Sequence, residues 1–560
     1  MTAVLFTVLF AGPACSDEPP TGDPVEALRA ALKRPADDEL ARTALLTPLA
    51  DRLTAPGDLG RALLLEEWRD EDRKYPLANA DLEVRDKVLA RFEEQLRKAM
   101  AGSDPAPQQA AAILIGDIAV RARAGGGAFD PAAILGRPQV REHLAELAHG
   151  LIKLSESNDL AVRMAAIRAL GKVQPEPVTA VRAIRRVLTS GQNAGGERAA
   201  AAAALEELMA TAMWNRKEVR GSKAEQAEAD RDLAQVGALV LSATGKWVED
   251  SNLEVRHPCW RTIRGAASVL ADLAPETPPL PAWGEELVGF KFRVQRQWES
   301  LNPLIDSLNG VLPIVATGLT EEKLEPDLRA PACEVLRASA IARRRLQAAG
   351  WAAGNVRDPL PALPPARFGP VSALKDPDPK VRTIAAEALG EIGVSTMDLV
   401  EKLARLSHKD AEAQVRQAAM VALSKMPDDL TTYDVIDALA KGLDDRHQGV
   451  RLGASAGLLE RATKYPNEVV AGLTEALKGT NGRLTALKAL ATIGGDARKA
   501  IPETIAAMDD ANPAIRAAAA VALGRYGKPG EAARDALRKA LDDPDPGVRI
   551  AAAEALLADK

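Results

Sequence analysis

The apolar residues near the C-terminus recur with the spacing of amphipathic helices. Over residues 530–543 they fall at i, i+3 and i+4 intervals, which places them on one face of a helix. The turn sequence DDPDP follows, in which Asp545 is placed to cap the next helix and Pro546 suits the first position of that helix. A second amphipathic helix is predicted after this turn. The pattern therefore predicts two helices joined by a tight turn.

The same pair of helices recurs between residues 369 and 560. The stretch DPDPKVRTIAAEALG at 376–390 returns as DPDPGVRIAAAEALL at 543–557, and weaker copies lie between the two. Successive copies place an arginine at steps of 34, 35, 32, 33 and 33 residues: Arg382, Arg416, Arg451, Arg483, Arg516 and Arg549. A period of this length indicates stacked units that bury their apolar faces against one another. The predicted fold class is all-α, an α-solenoid of stacked antiparallel helix pairs.

The chain upstream of residue 369 is helical in pattern but less regular. The repeat returns around Arg163 and Arg256, and two Pro-rich breaks interrupt the helices. We divide the chain into eight predicted segments: a signal-like segment at 1–15, a polar tether at 16–24, an N-terminal helical region at 25–110, irregular helical repeats at 111–273, a Pro-rich break and insertion at 274–310, a helical region at 311–356, a Pro-rich linker at 357–368 and the regular array at 369–560.

The motif D-P-x-V-R-x-x-A-A-x-A-L-G within these helix pairs resembles the HEAT-repeat family, especially the short bacterial form also found in phycobilisome lyases. The resemblance is close over 369–560 and returns at 158–173 and 251–270. It implies a superhelix with an extended surface along which protein partners lie. It also implies that turn aspartates pair with arginines of the repeat: Asp410, Asp444, Asp510 and Asp543 with Arg416, Arg451, Arg516 and Arg549 or their neighbours.

The repeated arginine is interpreted as a structural ladder that joins neighbouring repeats. The arginines assigned to it are Arg163, Arg256, Arg382, Arg416, Arg451, Arg516 and Arg549. The alternative is a ridge of arginines that binds anions. Acidic residues in the adjoining turns would cancel the arginine charge, which a phosphate-binding ridge would avoid. This composition favours the structural interpretation.

Composition fits an all-helical protein whose core is built from small and aliphatic residues. Apolar residues make up 47% of the 560 residues but aromatic residues only 3%, so the helices are predicted to pack mainly through Ala, Leu, Val and Ile. The formal net charge of −6 argues against nucleic acid as a partner, because binding to phosphates requires a basic surface.

Residues that could carry catalysis are sparse. The five histidines are scattered, and the sequence patterns of zinc proteases, serine hydrolases and nucleotide-binding loops do not occur. HEAT-like hydroxylases carry paired His-Glu dipeptides as iron ligands, and this chain has no such dipeptide. We therefore predict a scaffold that binds protein partners, with no catalytic, metal-binding or cofactor-binding site. The alternative is a repeat-containing enzyme, or an accessory factor of the lyase or hydroxylase kind.

The first residues predict export from the cell. The stretch TAVLFTVLFAGPAC has the length of the apolar region of a signal peptide and is too short to span a bilayer. Its GPAC ending resembles a bacterial lipobox, which makes Cys15 the candidate lipid attachment site of a protein in the cell envelope. The alternative is the apolar N-terminus of a cytoplasmic protein.

The other two cysteines, Cys259 and Cys333, lie in helical patterns. This position predicts small core residues, although export would also allow a disulfide bond between them.

All seven tryptophans precede residue 352, in the less regular part of the chain. Exposed tryptophan is favoured at protein interfaces. Four are therefore candidate interaction residues: Trp247, Trp260, Trp283 and Trp298. The alternative is that their rings fill gaps in the core where the repeat geometry is irregular.

Overall fold

A computed structural model describes most of the chain beyond residue 95. The described ranges are 96–124, 137–173, 177–189, 195–219, 221–274, 285–320, 324–352, 369–393, 396–429, 431–527 and 530–557. Within them the regular structure is helical, without strands. This confirms the predicted all-α fold. Cys15, Trp283 and the predicted tether lie outside the described residues, and the proposed segment boundaries stay predictions.

The chain divides into two compact units, residues 1–269 and 270–560. The helices described in the first unit are α1 (Pro105–Ala124), α2 (Arg137–Leu154), α3 (Leu160–Val173), α4 (Pro177–Thr189), α5 (Gly195–Glu218), α6 (Lys223–Thr244) and α7 (Leu253–Leu273), and the unit boundary lies inside α7. Helix α3 packs between α1 and α5, and α5 also contacts α4 and α6. Successive helix pairs therefore stack on one another in this unit.

The second unit begins with two long helices, α8 (Glu285–Thr320) and α9 (Pro326–Ala352), and continues as a regular array. In each pair of the array, the helix before the turn is called the first helix and the helix after it the second helix. The first helices are α10 (Gly369–Ala373), α12 (Met397–Lys409), α14 (Thr432–Gly442), α16 (Pro466–Ala476), α18 (Ile501–Ala506) and α20 (Glu531–Ala540). The second helices are α11 (Pro379–Ile392), α13 (Ala413–Ser424), α15 (Gln448–Ala462), α17 (Arg483–Ile493), α19 (Pro513–Arg525) and α21 (Pro546–Leu557).

The turns before α11 and α21 are closed by aspartate caps, as the sequence predicts for Asp545. The Asp545 carboxylate accepts hydrogen bonds from the amides of Gly547 and Val548 at 2.8 and 3.2 Å. The Asp378 carboxylate likewise accepts a bond from the Lys380 amide at 2.8 Å. These bonds satisfy helix amides that lack partners inside the helix, so they fix the points where α11 and α21 begin.

Successive second helices lie close together because small residues stand where they touch. Gly390 of α11 lies against Ala422 of α13, where an added Cβ atom would come within 2.7 Å of the Ala422 Cα. Gly524 of α19 meets Ala555 of α21 in the same way, at 2.8 Å from the Ala555 Cα. Contacts between second helices are mostly more extensive than those between first helices. The second helices therefore form the tightly packed side of the array.

Replacing Gly390 with alanine is expected to destabilise the array by about 1–3 kcal/mol, because the new methyl group would clash with backbone rather than with a flexible side chain. Gly310 of α8 is the matched control, since a Cβ atom added there meets nothing within 4 Å. Gly310→Ala should stabilise the protein by up to about 1 kcal/mol through helix propensity alone. Urea unfolding followed by circular dichroism compares the two variants. Stabilisation by both substitutions would show that the second helices are less tightly packed than described.

Arginine ladder and candidate interaction surface

Each ladder arginine of the array first binds the turn of its own repeat. The Arg382 Nη1 atom donates to the main-chain carbonyls of Asp376 and Pro377 at 2.9 and 3.0 Å. The same pair of carbonyls, six and five residues before the arginine, accepts from Nη1 of Arg416, Arg451, Arg516 and Arg549. These bonds fix the guanidinium, so that its Nε and Nη2 edge faces outward from the turn.

That outward edge binds a carboxylate of the next repeat. The Arg382 Nε and Nη2 atoms donate to Asp410 at 2.7 and 2.9 Å. Two further pairs have the same two-bond geometry: Arg416 with Asp445 at 2.7 and 3.0 Å, and Arg516 with Asp543 at 2.8 Å for both bonds. Arg483 makes a single bond to Asp510, at 2.6 Å from Nη1.

The direction of pairing corrects part of the expectation drawn from the family resemblance. The carboxylates of Asp410, Asp510 and Asp543 bind the arginine of the preceding repeat, because the arginine of their own repeat already binds the turn carbonyls. The prediction that Asp444 joins the ladder is wrong, since Asp445 occupies that place. Each pair therefore connects two neighbouring repeats rather than closing one of them.

The ladder also extends through the first unit. Arg163 of α3 donates from Nε and Nη2 to one oxygen of Glu197, at 2.9 and 2.7 Å, and from Nη1 to the carbonyls of Ser157 and Asn158. Arg256 of α7 donates to the Asp250 carbonyl at 2.6 Å. At Arg163 the first unit thus uses the same connection between repeats, with glutamate in place of aspartate.

One ladder residue of the second unit was not recognised from the sequence. Arg329 of α9 donates from Nη1 to the Asp376 carboxylate at 2.9 Å and from Nε to the Leu324 carbonyl at 3.1 Å. Arg329 follows Pro326 by three residues, as Arg382 follows Pro379. This proline-to-arginine spacing is the signal that could have identified it.

Two ladder carboxylates, those of Asp410 and Asp445, are held in their charged form. Burial by itself would raise the pKa of Asp445, but hydrogen bonds from Arg416 and from the His447 amide outweigh burial, and the pKa lies below its ordinary value. Burial is likewise outweighed at Asp410, whose pKa is lowered mainly by the hydrogen bond from Arg382. Because these arginine forks are filled by carboxylates of the chain itself, the geometry supports a ladder rather than an anion-binding ridge.

These pKa shifts predict a loss of stability in acid. Asp410 and Asp445 have lower pKa values in the folded protein than the value of about 4 of an unfolded chain. Their contribution is therefore complete above about pH 4 and is lost as the pH falls through the lower folded values. We expect the urea midpoint of the array to fall steeply below about pH 4. The urea midpoint of the Asp445→Asn variant should fall less steeply with pH than that of the wild type. Equal slopes for the two proteins would contradict the role of Asp445 in the acid sensitivity.

Two of the candidate tryptophans, Trp247 and Trp260, differ in exposure. The prediction that Trp260 is a contact residue is wrong. Its side chain is only 1% exposed, and its Nε1 donates to the Val248 carbonyl at 3.1 Å. Trp247 is half-buried in the 3-10 turn Gly245–Trp247. Trp298 lies within α8. Trp260 follows Arg256 by four residues, the position that Met420 takes after Arg416, and Met420 is also buried. The repeat pattern itself therefore marks Trp260 as a core residue.

Several exposed apolar side chains lie on the second helices. Leu452 and Ile550 directly follow ladder arginines and are 54% and 60% exposed. Val521 lies five residues after Arg516, one helical turn further along, and is 38% exposed. We call the surface carrying Leu452, Val521 and Ile550 the second-helix face. The sequence analysis missed it because both buried and exposed positions of these helices are apolar.

The part of the chain that the structure describes holds neither a metal site nor a membrane span. No group of three or more His, Cys, Asp or Glu side chains in the described ranges is arranged to hold a metal ion. Among the helices described, none is both long and apolar enough to cross a membrane. Cys259 and Cys333 are free and buried, and burial is the main cause that raises the pKa of each thiol to about 12. Both are thus core residues, as their helical positions predict.

The stacked helix pairs and the ladder that joins them define the C-terminal array as an α-solenoid. Residues 369–460 and 470–557 match the family model for HEAT repeats, which confirms the resemblance seen in the sequence. The array is therefore built of HEAT repeats. No curated protein sequence matches the chain.

Three of the solved structures that match the chain share less than a fifth of its sequence. An engineered protein is 17% identical, with a TM-score of 0.34 over 96% of this chain and 99% of that chain. A structure of Kap95p with RanGDP is 14% identical, with a TM-score of 0.35 over 96% and 72% of the two chains. A structure of importin beta is 15% identical, with a TM-score of 0.34 over 96% and 68%.

Proposed function

We propose that this protein is a non-catalytic scaffold that binds a protein partner along the second-helix face of its HEAT array. The observation that carries the proposal is the exposure of Leu452, Val521 and Ile550 on helices whose other apolar residues are largely buried. Exposed apolar residues grouped on one surface are typical of protein interaction sites. The connection of Arg516 to Asp543 joins the two repeats that carry Val521 and Ile550.

A charge substitution on the face tests this function. The triple variant Leu452→Glu, Val521→Glu, Ile550→Glu places charge where a partner would bury apolar surface. The matched control Met397→Glu, Tyr433→Glu, Leu541→Glu changes three exposed apolar residues on or next to first helices. Circular dichroism checks that both variants fold.

Affinity capture from membrane fractions, with tagged full-length protein as bait, gives the readout. We expect one stoichiometric partner with the wild type and the control, and at least about a tenfold loss with the face variant, which corresponds to about 1.4 kcal/mol. Loss with the control but not with the face variant would refute the binding surface. Stoichiometric metal or chromophore in the purified protein would instead support the enzyme alternative.

We also propose that the protein is exported and attached to a membrane through a lipid on Cys15. The support is the apolar stretch TAVLFTVLFAGPAC and its similarity to a lipobox. Wild-type protein should partition into the detergent phase in a phase-separation assay, and Cys15→Ser should move it to the aqueous phase. Recovery of the wild type wholly in the cytosolic fraction would refute export.

A further inference from the structure

Among the described residues, the junction between the third and fourth helix pairs lacks the arginine–carboxylate connection. Arg451 of α15 binds its own turn through Nη1, as the other ladder arginines do. Its Nε atom is buried, and no hydrogen-bond partner for it lies among the described residues. The residue 28 positions after Arg451 is Gly479, whereas the residue 28 positions after Arg382 is Asp410. The carboxylate that would complete the connection is therefore replaced by a hydrogen atom.

A different contact spans this junction. The Asp444 carboxylate, from the turn before α15, accepts the Asn481 amide at 2.7 Å, and its carbonyl accepts from the Asn481 side chain at 3.1 Å. In the turn before α15, the amide equivalent to that of Asn481 belongs to His447. It donates to an aspartate of the same turn, Asp445. The Asn481 bonds are exposed to solvent. They lack the charge pairing of the other junctions, so they hold the two repeats together less strongly.

The helices at this junction are also less tightly packed on one side. Leu459 of α15 stands where the neighbouring second helices have small residues, such as Gly390 in α11 and Ser424 in α13. Contacts between α15 and α17 are the sparsest between successive second helices of the array, whereas α14 and α16 make the most extensive contacts between successive first helices. The junction is therefore weak along the second helices and strong along the first helices.

We propose that the array bends at this junction, opening between α15 and α17 while α14 and α16 act as the pivot. This junction lacks the arginine–aspartate ion pair that resists opening at the other junctions of the array. The contacts between α14 and α16 keep the two halves joined. Motions between repeats concentrate where the coupling between neighbours is lowest. This inference stands independently of the proposed partner, because it rests only on contacts within the array.

Distances between spin labels test the hinge in the full-length protein. Labels at Val421 and Lys488 span the junction, and labels at Lys488 and Glu554 span two junctions that each have an arginine–aspartate connection. Each pair consists of equivalent positions two repeats apart. The labels are attached to cysteines introduced into a variant in which Cys15, Cys259 and Cys333 are replaced. Pulsed electron paramagnetic resonance should give a broader distance distribution for the pair at 421 and 488 than for the control pair.

Two substitutions decide the cause of this difference. Gly479→Asp supplies the missing carboxylate, at the cost of moving the Asp444 side chain, and should narrow the distribution of the 421 and 488 pair. Asp543→Gly removes the partner of Arg516 and should broaden that of the control pair. Equal widths for the two pairs in the parent protein would refute the hinge. If Asp543→Gly leaves the distance distribution of the control pair unchanged, the ladder is not the element that resists bending.

Discussion

Arg416→Ala is expected to destabilise the array by about 3–5 kcal/mol, the range measured when one partner of a buried ion pair is removed. The side chains of Arg416 and Asp445 are 4% and 10% exposed. The substitution leaves the Asp445 carboxylate charged and largely out of contact with water. It also frees the carbonyls of Asp410 and Ala411, which Arg416 binds at 2.9 and 3.1 Å.

Arg549→Ala is the matched control. Arg549 binds the carbonyls of its own turn as Arg416 does, but it is exposed and no carboxylate partner for it is found among the described residues. We expect a loss below about 1 kcal/mol. The double variant Arg416→Ala, Asp445→Ala should lose less than the sum of the two single losses, because no buried charge remains unpaired. Equal losses for the two arginine variants, measured by urea unfolding, would show that the connection between repeats adds nothing.

Trp260→Ala should have an effect of similar size in the first unit, about 3–5 kcal/mol, because a fully buried ring leaves a large cavity. The variant also leaves the Val248 carbonyl without its partner. Leu253→Ala, in the same helix at a 44% exposed position, should change the stability by less than about 0.5 kcal/mol.

Hydrogen exchange read by mass spectrometry over residues 195–269 measures these losses without relying on tryptophan fluorescence. A Trp260→Ala variant with unchanged protection but weaker partner capture would restore Trp260 as a contact residue.

The sequence predicted the fold because the apolar spacing of each helix and the period of the repeat lead to the same architecture. Helix starts could also be predicted, since capping by Asp545 depends only on residues close in the chain. The partners of the ladder residues could not be predicted from such local patterns. Asp410 lies between two ladder arginines in sequence, and only the stacking of the repeats decides that it binds Arg382 rather than Arg416.

Exposure was the property that the sequence described least well. Leu452 and Leu458 lie on one helix and are both leucine, yet one is 54% exposed and the other fully buried. The two leucines differ only in their position relative to the ladder arginine. Because these helices have apolar residues at both buried and exposed positions, the sequence pattern does not reveal which leucine is buried. Trp260 was misjudged for a related reason, because its residue type was given more weight than its place in the repeat.

The connection between repeats has a consequence for how such arrays change length during evolution. A typical repeat of the array carries one arginine that reaches forward and one carboxylate that receives the arginine before it. Duplicating or deleting one whole period in frame therefore joins an existing donor to an existing acceptor and leaves no charge without its counterpart. Selection can lengthen or shorten the protein by single genetic events, and a copy that later loses its carboxylate creates a new point of flexibility inside the protein.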